Sequence, residues 1–424
     1  MLKRLTGIIA CLASASAIAG GPLLLEGPNG NVPATYQDPN IVFNIETGDL
    51  GTFPNAAADL LVMEALSLWN PDNTSTITLS KGADVVDSSG AGVDIDETNF
   101  SLYIPNPLNA TIHNDDDGLN PIVYDDDGRI IDAFFGIGQG SGPDASVVGF
   151  AASSIIIGTR YFTEGFAVVN GNLPPGIDVN LLKLIVAHEI GHYMGLDHTQ
   201  ADIANNERFN DGCTDGVNYP LMYPYACRSS LDTHPDDDAA LSTLYPQADF
   251  YASQGQLTGR FVTTDGAAIR GANLWVENQL TGEVFSIVSD YLTQCTGFFS
   301  LMLPPGNYVL HANSINREFY GGSSVGPYAE TPLDVSFQAP ASTIGANLVF
   351  TADGAVPAFI TVVAGKSVDI EFRSDGSGTV TPADNQVDLQ QFYDSADACP
   401  VPSGGGGGSP GLPLLAALLS LIHI

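Results

Sequence analysis

His188, His192 and His198 fall within eleven residues, His188-Glu189-Ile190-Gly191-His192-Tyr193-Met194-Gly195-Leu196-Asp197-His198, and make up three of the chain's seven histidines. On a helix, side chains four apart project from one face, so His188 and His192 can offer two neutral imidazoles to one metal ion. Gly195 can take the positive φ that ends the helix and turns the chain back, bringing His198 in as a third ligand. Three histidines leave one tetrahedral position open, and an open position separates a catalytic Zn²⁺ site from a closed structural one. Glu189, beside the metal, is placed to accept and return a proton. The chemistry implied is hydrolysis by a zinc-activated water, with Glu189 catalytic and the three histidines as metal ligands.

Something must hold these groups in place. Pro174-Pro175-Gly176 reads as a loop, and Asp178 as the N-cap of a helix from about Val179 to Met194. Leu181, Leu182, Leu184, Ile185 and Ala187 give that helix a broad apolar face, as expected of a helix crossing a domain interior. Upstream, Ile41 to Ile45 is a short β-run. Asn55 to Trp69 has helical spacing of Leu60, Leu61, Met63, Leu66 and Leu68 and is stopped by Asn70-Pro71. Strands are expected at Ser75–Ser80, Ser101–Ile104, Pro121–Tyr124, Val147–Ala151 and Ser153–Ile157.

The 48 acidic against 13 basic residues give a formal charge of −35. Such a surface repels nucleic acid and anionic membranes, which excludes both as partners, while it invites divalent cations. Two acidic clusters, Asp115-Asp116-Asp117-Gly118 and Asp125-Asp126-Asp127-Gly128 with Asp132 beyond, could supply oxygen ligands to Ca²⁺ through Asp115, Asp117, Asp125, Asp127 and Asp132. Neither completes an EF-hand loop, because His113 and Val123 occupy the first ligand positions, so plain acidic turns are the competing reading.

Residues 1–19 read as an export signal: Lys3 and Arg4, an apolar stretch, then Ala17-Ile18-Ala19 before Gly20. Ile8-Ile9-Ala10-Cys11 offers a lipoprotein alternative, but with a very short apolar core. A secreted, extracellular chain meets oxidising conditions, so Cys213–Cys227 is expected as a local disulfide. Pairing of Cys295 with Cys399 is open. After a short N-terminal segment, 20–40, the chain divides into a first domain at 41–248 and a β-rich module at 255–373. A linker, 374–411, contains the glycine tract, and 412–424 is an apolar tail. The tail is too short to span a bilayer comfortably; a processed sorting segment, the start of a longer helix and a frayed end are all open. The fold class expected is α+β followed by an all-β sandwich, as a monomer.

The eleven-residue motif resembles that of the metzincin metallopeptidases. Tyr219-Pro220-Leu221-Met222-Tyr223-Pro224 resembles their Met-turn, and tyrosine directly after Met222 makes the segment most similar to the matrixin branch. Asp236 to Tyr245 is similar to the last helix of matrixin catalytic domains. The resemblance implies a metzincin-type fold over 41–248, with Met222 beneath the metal. It implies an endopeptidase acting on protein or peptide substrates such as those of the extracellular matrix. By the same analogy, Val148, Gly149, Phe150 and Ala151 pair with the extended substrate, and Tyr223 borders it. Three departures matter. No cysteine lies between residue 19 and the motif, so the matrixin cysteine switch is absent. The histidines of a second zinc site are missing, and the segment from His198 to Met222 is longer than usual. Residues 255–373 resemble carboxypeptidase regulatory-like sandwiches through Gly271-Ala272 and Pro304-Pro305-Gly306-Asn307-Tyr308. The tail is similar to bacterial sorting signals without their basic cluster, which implies transient cell-surface attachment. The reading from a different class is a surface adhesion protein whose metal fold is vestigial.

Overall fold

Apolar residues at helical spacing make α1 (Asn55–Trp69), which buries Ala58, Leu61, Val62, Ala65, Leu66 and Trp69 while Leu60 faces solvent. In the computed structural model, residues 22–26, 31–70, 74–104, 117–143, 145–155, 159–174, 177–201, 216–292, 294–314, 348–352, 357–392 and 420–423 are described. The first sheet is built from β1 (Asn40–Ile45), β2 (Thr78–Lys81), β3 (Pro121–Asp125), β4 (Val147–Ile155), β5 (Tyr161–Asn170) and, far along the chain, β16 (Ser420–His423). Its order is β16-β4-β5-β3-β1-β2, with Thr35–Tyr36 pairing beside β5. Strands β5, β3, β1 and β2 are parallel, whereas β4 and β16 run antiparallel to their neighbours.

Both faces of this sheet are covered, which is why β3 and the second half of β5, Phe166 to Val169, are apolar without alternation. On one face, α1 and the metal helix α3 (Val179–Tyr193) pack Leu61, Leu66, Trp69, Val186 and Ile190 against Phe43 and Ile45. The indole N–H of Trp69 donates to the Ala187 carbonyl at 2.8 Å, so α1 holds α3 by a buried hydrogen bond as well as by packing. Such a large side chain contributes about 1.5–3 kcal/mol by burial. On the other face, α2 (Arg129–Phe135) and residues 85–104 cover Val123, Phe150, Phe166 and Val168.

Several expected strands come out differently. Ser101–Ile104 is not a strand: the turn Phe100–Leu102 is 3₁₀, with Asp96 accepting from the N–H groups of Thr98 and Asn99. The buried side chains there, Phe100 and Ile104, stand four apart, a helical rather than a strand spacing. Ser75–Ser80 shrinks to β2. The two runs expected at 147–157 are one continuous strand, β4.

The second module is a sandwich. One sheet contains β8 (Val284–Val288), β7 (Ala272–Asn278), β10 (Gly306–Ser314), β11 (Leu348–Val349) and β13 (Ile360–Val362). The other runs β9 (Phe298–Leu303), β6 (Gly255–Val262), β14 (Ser367–Arg373), β15 (Ser377–Ala383) and β12 (Thr351–Ala352). Leu257, Phe261, Leu274, Phe285, Phe299, Tyr308, Ile360 and Phe372 fill the space between them. The sandwich continues to Ala383 because β15 pairs with β14 from Ser367 to Phe372. The boundary expected at residue 373 is therefore corrected: β15 lies inside the stretch read as linker. The chain as a whole is of the α+β class, and among the described residues no helix is long and apolar enough to cross a membrane.

One buried acid carries a pH consequence. Glu46 follows β1, and its two oxygens accept from the backbone N–H groups of Ile95 and Tyr124. Burial pushes its carboxyl up to about 9, against an ordinary value of 4.5. Below about pH 4.5 both folded and unfolded chains hold this proton; above it the unfolded chain releases the proton and the folded chain keeps it. Stability from Glu46 is thus lost as pH rises, by about 1.4 kcal/mol per unit between pH 7 and 9. Denaturant titrations of wild type and Glu46→Gln at pH 7, 8 and 9 should give a smaller alkaline slope for the variant; equal slopes would refute the assignment.

Candidate metal centre

Helix α3 begins as expected, with the Asp178 carboxylate accepting from the Asn180 N–H at 2.9 Å. It carries His188, Glu189 and His192 into the interior, where all three are fully buried. The helix ends at Met194. Gly195 then takes φ +92°, and its N–H donates to the His192 carbonyl at 2.9 Å. That left-handed turn delivers His198 back to the helix, also fully buried. Ligand atoms of His188, His192 and His198 all lie within 4.8 Å of one another, the single such group of His, Cys, Asp or Glu side chains among the described residues.

Backbone carbonyls set the tautomers. His188 Nδ1 lies 2.7 Å from the Leu221 carbonyl, and His192 Nδ1 lies 2.8 Å from the Leu196 carbonyl. A carbonyl only accepts, so each Nδ1 carries the proton and each Nε2 presents a bare lone pair. Those two Nε2 atoms face each other at 2.9 Å. Two lone pairs at that distance repel, and a cation between them removes the repulsion. Burial also pushes His188 down to about 4 and His192 well below its ordinary value, with the neighbouring histidines adding to the latter. His188 and His192 are thus neutral and correctly tautomeric, and His198 converges on them. The donor set fits a divalent metal ion.

Glu189 is the other anomaly. Both carboxylate oxygens are buried without a hydrogen-bond partner, and burial drives its pKa well above the ordinary value. An orphaned buried carboxyl costs stability and is retained where chemistry needs it. It lies over β4: a Cβ on Gly149 would stand 3.0 Å from Glu189 Oε1.

The Leu221-Met222 turn lies against the helix. A Cβ on Gly191 would fall 2.2 Å from Met222 Sδ, so only glycine lets the sulfur approach. Tyr223 is buried, its ring 4.7 Å from that of Tyr219. Val148, Phe150 and Ala151 are buried in β4, whose main chain pairs with β5 on one side and β16 on the other.

What sequence reasoning missed is the support behind this turn, supplied by α4 (Pro235–Leu244). The Asp237 carboxylate accepts from the N–H groups of Leu221 at 2.7 Å, Met222 at 3.1 Å and His234 at 2.9 Å. It therefore fixes the turn whose carbonyl orients His188. Arg228, buried nearby, donates to the carbonyls of Tyr219, Asp232 and Thr233 and pulls Asp237 downward against the upward push of burial. Asp236 accepts from the Thr199 hydroxyl at 2.5 Å and from the Ser286 N–H of the sandwich at 2.7 Å. Thr199 follows the third histidine, so the second module is hydrogen-bonded into the loop that presents it. The available signal is three acids opening a helix after proline, Asp236, Asp237 and Asp238.

The acidic clusters behave otherwise. Asp125 is buried and accepts from the N–H groups of Ile130 and Ile131, starting α2. Asp132 accepts from Gly138, Gly140 and Ser141. Asp127 pairs with Arg129 at 3.1 Å, and Asp117 accepts from Leu119. These four carboxylates are engaged by the protein's own donors; Asp115 lies outside the described residues. Cys227 and Cys295 are each disulfide-bonded. Cys213 and Cys399, like residues 1–19, lie outside the described residues.

No family model matches the chain, and a search of curated proteins finds no match. Among solved structures, a protein from Bacteroides ovatus provisionally named a cell adhesion protein aligns at 12% identity with a TM-score of 0.19. It covers 32% of this chain and 46% of its own. An overlap that slight carries no argument about fold or function.

Proposed function

We propose that the chain is an exported zinc endopeptidase of the metzincin type, nearest the matrixins, acting on extended protein or peptide substrates. The observation that carries this reading is Glu189, an unpartnered buried carboxyl adjoining three convergent histidines and lying over strand β4 of the sheet. A Zn²⁺ ion held by His188, His192 and His198 would supply Lewis-acid polarisation of a peptide carbonyl and of water. Glu189 accepts the proton from the attacking water and returns it to the departing amine. Burial raises the proton affinity of its carboxylate, which favours taking the proton from water. The main chain of β4 holds the substrate extended, so that recognition at this edge depends on backbone pairing more than on side chains. Asp237, by fixing the turn that carries the Leu221 carbonyl, positions the first histidine.

The test is metal dependence. The purified protein should contain about one zinc per chain and, before or after trimming of the chain, cleave casein or a quenched-fluorescent peptide. A chelator should abolish cleavage and added Zn²⁺ should restore it. Stoichiometric metal with no cleavage of any protein, before or after trimming of the chain, would overturn the endopeptidase reading in favour of a binding protein with a vestigial site.

A further inference from the structure

The free edge of β4 is not left open: β16, residues 420–423, adds to it antiparallel. Ser420 pairs with Ala151, Leu421 with Phe150, Ile422 with Gly149 and His423 with Val147. The other edge of β4 is taken by β5, so β16 covers the remaining one. Gly149 is the β4 residue directly beneath Glu189, and β16 also lies against α3. The tail backbone thus crosses the sheet edge at the position of the acid/base group. Residues 411–424, Gly-Leu-Pro-Leu-Leu-Ala-Ala-Leu-Leu-Ser-Leu-Ile-His-Ile, contain no Asp, Glu, Lys or Arg. A stretch free of acidic residues in a chain of charge −35 meets no repulsion at a buried, acid-bearing site.

We infer that segment 420–423 is a built-in competitor for the substrate strand, holding the chain latent until it is displaced or removed. This rests on the proposed endopeptidase reading for its biological meaning, though the docking itself does not. The block acts through main-chain hydrogen bonds along β4. An extended peptide and β16 need the same donors and acceptors of residues 147–151, so the two are mutually exclusive. A strand edge occupied nine-tenths of the time lowers apparent peptide affinity about tenfold.

The test keeps the chain full length and replaces Leu421→Pro together with Ile422→Pro. Successive strand residues point their N–H groups to opposite edges, so one of the two substitutions must delete a hydrogen bond to β4. A second variant carries Gly-Ser repeats in place of residues 412–424. Both should show at least about tenfold faster amide exchange at 147–151, with or without metal. A zinc-loaded variant should bind an extended peptide hydroxamate at least about tenfold more tightly than wild type and cleave peptides correspondingly faster. Unchanged exchange in both variants would overturn the docking. Faster exchange with equal hydroxamate affinity would overturn the competition. Tighter hydroxamate binding with no cleavage by any form would uphold the competition while removing the endopeptidase reading.

Discussion

Replacing Glu189 with glutamine is expected to leave the metal bound and to lower peptide hydrolysis by roughly a hundredfold to ten-thousandfold, the usual contribution of a general acid/base. Glutamine keeps the shape and burial of the side chain but cannot take a proton from water. The three histidines and the carbonyls of Leu221 and Leu196 that orient two of them are untouched, so metal content should stay at wild-type level. Stability gives a second, independent readout. Both Glu189 oxygens lack partners in the folded chain, so exchanging an ionisable group for a neutral one should raise the melting temperature of the metal-free protein. Metal analysis, thermal unfolding and peptide turnover on one preparation would decide the matter. Wild-type turnover in the Glu189→Gln variant would remove the assigned mechanism.

The second large effect is expected at Asp237, which touches neither metal nor substrate. Asp237→Ala leaves three N–H groups, those of Leu221, Met222 and His234, without their acceptor in a buried setting. Each orphaned donor costs on the order of 1–3 kcal/mol, so a total loss of about 3 kcal/mol or more is expected in denaturant titration. The Leu221 carbonyl, which receives the His188 proton, sits on the loosened turn, so zinc affinity should fall by about ten- to a hundredfold. Competition against a chromogenic chelator measures this separately from stability. Asp237→Asn, which retains one oxygen acceptor, should recover part of both. If stability fell while zinc affinity stayed unchanged, the turn would not be what orients His188.

How far these features could be read in advance follows from the range of the interactions. Helices α1 and α3 were legible because their signals are local: apolar spacing, the Asn70-Pro71 stop and the Asp178 cap sit within a few residues of what they govern. The triad was legible for the same reason, since helix pitch and one glycine turn account for its convergence. Strand β5 was missed because Gly165 interrupts its apolar run, and its partners come from β4 and β3 rather than from an adjacent hairpin alone. Helix α2 was hidden inside an acidic cluster whose aspartates proved to be caps and loop fasteners. Asp237 reaches a turn sixteen residues before it, and Asp236 a sandwich strand fifty residues after it. Neither distance leaves a periodic trace. The pairing of residues 420–423 with β4 spans most of the chain and had no local signature, although both partners had been singled out separately.

The bond from Ser286 to Asp236 bears on how such a protein can be recombined. Along the chain, the break between modules falls in the few residues around Asp249; in energy it does not, because a donor for the loop after His198 is furnished by the sandwich. A chimera carrying a foreign sandwich would have to bring an N–H to Asp236 and a hydroxyl to Thr199, or leave a buried carboxylate short of donors beside the third histidine. Exchange of the appendage is therefore coupled to the integrity of the metal loop, and the two modules should be inherited together.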